Sequence, residues 1–176
     1  MSRLLIVTGP PGAGKTTVAD RLADRFEPSV IVRGDAFFGF LERGARFPWM
    51  PGSERQNEIV TRAAASAAGH YVRGGYWTVY DGVVGPRSLR TFLSETGLDQ
   101  VEYAVLLPSV ERCLERVSNR QEHGFTDSEA TRHMHRQFAD ASVEREHLLV
   151  DPPDDPNHVA DVIVASLERG LLTYPS

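Results

Sequence analysis

Short apolar runs alternate with amphipathic stretches along this chain of 176 residues. The stretches between the runs carry apolar residues at helical spacing, whereas the runs themselves are rich in β-branched and aromatic residues, as is typical of buried strands. The five runs are RLLIVTG, SVIVRG, YWTVYDG, VEYAVLLP and HLLVD. Strands that alternate with helices in this way predict an α/β fold, with a parallel sheet covered by helices on both faces.

Two helices can be bounded from the pattern. The first is predicted over residues 15–26, where Val18, Leu22 and Phe26 recur every four residues and would pack on the sheet. The other is predicted to begin at Ser53 and to end near residue 73, because an alanine-rich stretch favours helix and two glycines then stop it.

The composition is that of a soluble protein with one domain, which we expect to span residues 1–176. Hydrophobic residues make up 41% and charged residues 24% of the chain, both ordinary values. No apolar run approaches the roughly 20 residues that a membrane helix needs, and the apolar start is too short for a secretory signal. The only cysteine, Cys113, cannot form an intrachain disulfide and is expected to be buried on a helix. We therefore expect a cytoplasmic location and no contact with membranes.

Charge narrows the choice of partners. The formal net charge of −5 disfavours binding of long nucleic acid, because such binding relies on basic surfaces. Of the 19 basic residues only Lys15 is a lysine, and a compact, flexible ammonium is well suited to a phosphate site. The sequence does not indicate an oligomeric state.

A complete phosphate-loop motif, G-x-x-x-x-G-K-[ST], stands between the first strand and the first helix, which is the context that the motif requires. Its glycines let backbone N–H groups converge on phosphate oxygens, and the helix N-terminus adds partial positive charge. Lys15 would bridge the β- and γ-phosphates, and the Thr16 hydroxyl would bind Mg²⁺. The predicted nucleotide-binding residues of this segment are Gly9, Pro10, Pro11, Gly12, Ala13, Gly14, Lys15, Thr16 and Thr17.

Asp81 is the second candidate for the metal site. It ends the apolar strand YWTVYD, the arrangement of a Walker B element. The alternative is a turn or helix cap before Gly82. The phosphate loop favours a role in binding Mg²⁺, either directly or through a water molecule.

The chain resembles the P-loop small-molecule kinases of the AAA type, and among them the chloramphenicol phosphotransferase-like and zeta-toxin-like members. The resemblance spans nearly the whole chain and rests on GPPGAGKTT, VRGDAFF, TVYDGVVGP and the arginine-rich ERCLERVSNRQ. It implies a P-loop NTPase fold, a three-layer α/β/α sandwich whose five-stranded parallel sheet has the order 2-3-1-4-5. It also implies a helical lid at about residues 116–136, and ATP rather than GTP as the nucleotide bound with Mg²⁺.

The same resemblance implies catalytic residues. Asp35 of RGDAFF matches the aspartate that accepts the proton of the substrate hydroxyl, although aspartate is also suited to capping the helix expected over AFFGFLERG. Arg116 and Arg120 lie four residues apart on one helix face and match the arginine-bearing helix that enters the lid. We assign both to nucleotide binding, and Arg120, with Lys15 and Asp35, to catalysis. The alternative role of the two arginines, Arg116 and Arg120, is that of surface ion-pair partners.

The segment AFFGFLERGARFPWMPGSERQN is where we expect the acceptor to bind, because aromatic residues beside glycine and proline suit an apolar pocket with adaptable walls. The aromatic side chains could equally be core residues, which we favour for Phe37 and Phe40. Gln56 could instead cap the helix that it opens, and Arg87 could stand at a solvated helix start. The candidate substrate-binding residues are Phe38, Trp49, Gln56 and Arg87.

The sequence thus predicts an ATP-dependent kinase that transfers the γ-phosphate to a hydroxyl of a small molecule such as an antibiotic, a nucleoside or a sugar derivative. One alternative keeps this chemistry but acts on a polynucleotide end or a nucleotide-sugar. Another is a nucleotide-dependent switch or ATPase. Asp35 and the aromatic segment favour transfer to a bound acceptor over transfer to water.

Overall fold

The computed structural model describes residues 3–119, 126–141 and 143–175. The strands within these residues are β1 (Leu4–Thr8), β2 (Ser29–Arg33), β3 (Trp77–Asp81), β4 (Gln100–Leu107), β5 (Leu148–Val150) and β6 (Thr173–Pro175). The helices are α1 (Lys15–Ala23), α2 (Gly34–Phe38), α3 (Glu54–Arg73), α4 (Pro86–Thr96), α5 (Val110–Ser118), α6 (Ser128–Ala139) and α7 (Pro156–Glu168). None of these helices, in the part of the chain that is described, is both long and apolar enough to cross a membrane.

The sheet has the order β2-β3-β1-β4-β5, and all five strands are parallel, as predicted. Parallel strands end at the same edge, so the segments that follow β1, β2 and β3 meet there. This edge carries the phosphate loop, Asp35 and Asp81.

A sixth strand, β6, was not predicted and pairs antiparallel with the start of β4. The buried carboxylate of Glu102 in β4 holds β6 in place by accepting a hydrogen bond from the Thr173 hydroxyl at 3.2 Å. The same carboxylate also accepts a hydrogen bond from Arg3 at 2.9 Å.

The apolar residues form two cores, one on each face of the sheet. Tyr80, Phe92 and Tyr103 belong to the core beneath α3 and α4. Leu22 and Ile163 belong to the core beneath α1 and α7. Helices therefore cover both faces, and the predicted three-layer sandwich is confirmed.

Two helix boundaries and the burial of one residue differ from the prediction. Helix α1 ends at Ala23, and Phe26 lies beyond it, where its ring stacks on Trp77 at a centroid distance of 4.0 Å. Helix α2 ends at Phe38, so the helix expected over AFFGFLERG is much shorter. The core position expected for Phe40 is wrong, because 72% of this residue is exposed, whereas Phe37 packs against the core as predicted.

Candidate functional site

The phosphate loop packs closely against β4 on one side and against α5 on the other. A Cβ on Gly9 would collide with the carbonyl oxygen of Leu106 in β4, and a Cβ on Gly12 would collide with that of Cys113 in α5. Gly12 also has a φ of 80°, a conformation that other residues adopt only at a cost. The loop therefore depends on glycine both for its shape and for its contact with α5.

Lys15 lies over this loop. Its Nζ donates hydrogen bonds to the carbonyl oxygens of Gly9 and Pro10, each at 3.1 Å. The only lysine of the chain thus places its positive charge against the segment that the motif assigns to phosphates.

Asp81 is buried, with 7% of its surface exposed, and lies beside Thr16 and Lys15. Burial raises the pKa of the Asp81 carboxyl, while a hydrogen bond with Thr16 and the charges of Lys15 and Arg33 oppose this rise. The structure thus brings together the two residues predicted to bind the metal.

These two residues fit Mg²⁺, which prefers oxygen ligands and is commonly held by one or two carboxylates together with substrate phosphates and water. Among the described residues, no group of three or more His, Cys, Asp and Glu side chains is placed to hold an ion. A magnesium ion held by Thr16 and Asp81 would therefore take its other ligands from the nucleotide and from water.

Asp35 is exposed and follows β2 directly, as the second residue of α2. Arg33 occupies the N-cap position of this helix, so Asp35 is not the cap that the alternative interpretation required. The charge of Asp35 acts on both Asp81 and Tyr80, which places the three side chains near one another.

Arg116 lies at the phosphate loop. It donates a hydrogen bond to the carbonyl oxygen of Gly12 at 3.3 Å and pairs with Asp154 at 3.0 Å. Arg120, the other predicted lid arginine, and much of the predicted lid lie outside the described residues. Helices α5 and α6 on either side of residues 120–125 agree with the predicted helical tract.

Arg112 is a site residue that sequence reasoning missed. It pairs with Asp154 and donates to the carbonyl oxygen of Pro152 at 3.0 Å. The hydrogen bond that Arg112 donates to the Asp154 carboxylate, together with the charges of Arg112 and Arg116, lowers the pKa of Asp154. The available signal was its position four residues before Arg116, one helical turn along the same face.

A groove of about 240 Å³ runs beside these arginines and the phosphate loop. Its walls include Gly14 of the loop, Thr17 of α1, Arg116 of α5, Pro152 after β5 and Pro156 at the start of α7. Because the groove begins at the phosphate loop, it can receive the nucleoside part of a bound nucleotide.

Arg33 was also missed, although it directly precedes the predicted Gly34-Asp35. Its guanidinium bonds Asp20 of α1 at 2.7 Å and Asp81 at 3.3 Å. These partners are 13 and 48 residues away in the chain, so only the folded structure shows the contact.

The predicted acceptor residues lie on different elements. Phe38 is half-buried at the end of α2, and Arg87 is exposed at the start of α4. Trp49 is 38% exposed and its ring stacks on Phe47 at a centroid distance of 5.0 Å. Gln56 braces the loop before α3, because its amide bonds the main-chain N–H and C=O of Arg46 at 2.8 and 2.7 Å.

Residues 4–145 match the family model described as an AAA domain. The chain belongs to this AAA domain family. No curated protein matches the sequence of this AAA domain protein.

Solved structures share its fold. The tunicamycin resistance protein of Deinococcus radiodurans is 18% identical with a TM-score of 0.72, and the match covers 100% of both chains. A sugar kinase from a Janibacter species is 20% identical with a TM-score of 0.72, covering 99% of this chain and 100% of that one. A gluconokinase from Sinorhizobium meliloti is 19% identical with a TM-score of 0.64, covering 96% and 93%. The AAA domain protein thus has the fold of P-loop kinases.

Proposed function

We propose that this protein is an ATP-dependent phosphotransferase that moves the γ-phosphate to a hydroxyl group of a small molecule. The pairing of two aspartates at the ends of neighbouring strands carries this proposal. Asp81 is buried beside Thr16 and Lys15, as a nucleotide–metal site requires, whereas Asp35 is exposed next to it. Transfer to an alcohol needs a base, and the exposed aromatic segment that follows Asp35 favours a bound acceptor over water as the source of the proton.

Each of the predicted site residues that bind the nucleotide or transfer the phosphate has a role in the proposed reaction. The loop N–H groups and Lys15 bind the triphosphate and offset charge on the transferring group. Asp35 accepts the proton of the acceptor hydroxyl. At the same time the oxygen of that hydroxyl forms a bond to the γ-phosphorus, and the bond between this phosphorus and the departing ADP oxygen breaks. A magnesium ion on Thr16 and Asp81 would supply positive charge to the phosphate oxygens. Arg116 and Arg120 are the arginines that we assign to a lid over the nucleotide.

The acceptor site is proposed to lie between α2 and α3. Phe40, Phe47, Trp49 and Met50 are exposed to between 38% and 72%, an unusual concentration of apolar surface in one connecting segment. This surface supports an acceptor with an apolar or ring-shaped body, and Phe38, Gln56 and Arg87 remain candidates for further contacts. An antibiotic, a nucleoside and a sugar derivative all have such a body, and the proposed location is the cytoplasm, where ATP is available.

The decisive experiment replaces Asp35 with Asn. The amide keeps the size of the side chain but removes the base, so we expect acceptor-dependent ADP release to fall by roughly 10²–10⁴-fold. Affinity for a non-hydrolysable ATP analogue should stay within about 2-fold, because the loop, Thr16 and Asp81 are untouched. Asp99→Asn, at an exposed position before β4, is the matched control and should behave as wild type.

The acceptor is first sought among metabolites and antibiotics by its stimulation of ADP release. Wild-type amounts of phosphorylated product from Asp35→Asn would remove Asp35 as the base. Basal hydrolysis that no compound stimulates, and that Asp35→Asn leaves unchanged, would favour the switch or ATPase instead.

A further inference from the structure

Tyr80 has a hydroxyl group that the proposed mechanism does not yet use. The residue is 3% exposed in β3, and its ring packs edge-on against Phe92 of α4 at a centroid distance of 4.6 Å. This packing holds the ring in one orientation.

Two glycines make room for the phenol at the carboxyl edge of the sheet. A Cβ on Gly34 would collide with Tyr80 Oη, and a Cβ on Gly82 would lie 2.8 Å from Cε1 and 3.0 Å from Oη. Gly34 immediately precedes Asp35, and Gly82 immediately follows Asp81. The hydroxyl therefore lies between the ends of β2 and β3, next to the proposed base and the proposed metal ligand.

The hydroxyl has no hydrogen-bond partner among the protein groups that the structure describes. Tyr103, also buried, differs in this respect, because its Oη donates to the carbonyl oxygen of Val84 at 2.9 Å. A phenol is protonated at neutral pH and is a strong donor. Among the described residues the only buried side-chain oxygen or nitrogen without a partner is Oδ1 of Asn57, so Tyr80 Oη keeps access to solvent although the residue as a whole is buried. A bound molecule that offers an oxygen at this place would replace water as the acceptor.

We propose that Tyr80 determines acceptor specificity, by donating a hydrogen bond to an oxygen atom of the acceptor adjacent to the hydroxyl that is phosphorylated. This inference rests on the proposed function and narrows its substrate class to molecules with two neighbouring oxygens, such as the vicinal diol of a sugar or a ribonucleoside. One oxygen would face Asp35 and the other Tyr80. A deoxy analogue would leave the phenol unpaired.

The test uses Tyr80→Phe, which removes the hydroxyl and keeps the ring against Phe92. Tyr103→Phe is the matched control. We expect Tyr80→Phe to keep the wild-type melting temperature and Tyr103→Phe to lower it, because only the second variant loses a hydrogen bond within the protein. Affinity for a non-hydrolysable ATP analogue should be unchanged in both.

The acceptor probes are three pairs that differ by one oxygen: ribose and 2-deoxyribose, adenosine and 2′-deoxyadenosine, and glucose and 2-deoxyglucose. In wild type and Tyr103→Phe, at least one full diol should give kcat/KM for ADP release about 10-fold to 100-fold above that of its deoxy partner. In Tyr80→Phe this preference should disappear, mainly through loss of activity with the diol.

A second readout follows the phenol itself in protein labelled with 3-fluorotyrosine, where the Tyr80 signal is the one missing from Tyr80→Phe. The preferred diol, added with Mg²⁺ and the ATP analogue, should shift this signal and leave that of Tyr103 in place.

The role of Tyr80 is overturned if Tyr80→Phe keeps the preference for the diol, or if none of the six compounds stimulates ADP release or shifts the Tyr80 signal. If ADP release with an acceptor depends on Asp35 but not on Tyr80, the phosphotransferase stands and only the specificity role fails. A diol that shifts the Tyr80 signal but receives no phosphate supports the role of Tyr80 and contradicts the phosphotransferase.

Discussion

Arg33 and Asp81 face each other across the paired strands β2 and β3, with Nη1 of the arginine 3.3 Å from Oδ2 of the aspartate. The same guanidinium bonds Asp20 on α1. One arginine thus connects the helix that follows the phosphate loop to the carboxylate proposed to bind the metal. The side chain of Asp81 is buried, whereas that of Asp20 is 44% exposed. The two contacts of Arg33 therefore differ in how much they contribute to the stability of the folded protein.

We predict that Asp81→Asn raises the melting temperature at pH 7 while weakening Mg²⁺-dependent nucleotide binding. Burial raises the folded-state pKa of Asp81 above its unfolded value, so the charged carboxylate lowers stability at pH values above the folded pKa. This cost is relieved as the pH falls through the folded pKa, and the advantage of the variant should shrink from pH 7 towards pH 4. Thermal melts of both proteins across this range measure it.

Asp20→Asn is the control, because it removes the exposed partner of the same arginine and should change stability by less than about 1 kcal/mol. A variant Asp81→Asn that melts well below wild type at pH 7 would show that the contact with Arg33 outweighs the cost of burial.

Gly12→Ala should both destabilise the protein and abolish nucleotide binding. The methyl group would meet the carbonyl oxygen of Cys113 at a backbone φ of 80°, so the loop must move away from α5. Gly170→Ala supplies the comparison, since Gly170 has a φ of 69° but no atom within 4 Å of an added Cβ. It should cost only the roughly 1–2 kcal/mol of a left-handed backbone and leave nucleotide affinity intact. Equal losses of stability in the two variants, measured by urea unfolding, would argue against tight packing at Gly12.

Lys15→Ala should lose binding of ATP and its analogues by calorimetry while melting close to wild type without ligand. The Lys15 side chain bonds two loop carbonyls and contributes little to the apolar core. Its removal should therefore weaken binding of the phosphates and change stability little. Lys15→Arg should fail to restore binding, because a planar guanidinium does not replace a compact ammonium there. Unchanged affinity in Lys15→Ala would refute the assignment of the phosphate loop.

Cys113 should react with Ellman's reagent far more slowly in the native protein than in urea. Its side chain is fully buried, and burial raises the pKa of the thiol, which lowers the fraction of reactive thiolate. Because the backbone of Cys113 touches Gly12, modification measured in mild denaturant should also report opening of α5 from the phosphate loop. Rapid labelling of the native protein would contradict this packing.

Local patterns were sufficient for much of the fold. The phosphate loop is a contiguous motif, and the strand that ends at Asp81 is a continuous apolar run, so neither needs tertiary information. Strand β6 was not predicted because three residues are too few to show a periodicity. Helix α1 is shorter than predicted, and Phe26 beyond its end stacks on Trp77.

The contacts of the candidate site were harder to predict. Arg112 meets Asp154 across 42 residues of chain, and Tyr80 meets Gly34 only because β2 and β3 are neighbours. The pairing of distant residues depends on how elements pack, which one sequence does not reveal. The exposed position of Phe40 shows the same limit, since its apolar character alone favoured the interior.

The sheet separates the two halves of the proposed reaction into different cores. Ala13 of the phosphate loop and Val18 of α1 pack with α7 on one face, whereas Tyr80 and Phe37 pack with α3 and α4 on the other. If Tyr80 has the proposed role, replacements beneath α3 and α4 would alter which molecule is recognised and leave the residues proposed to bind the triphosphate in place. Under the proposed function, such an architecture would allow new substrates to be acquired in evolution by repacking a single face.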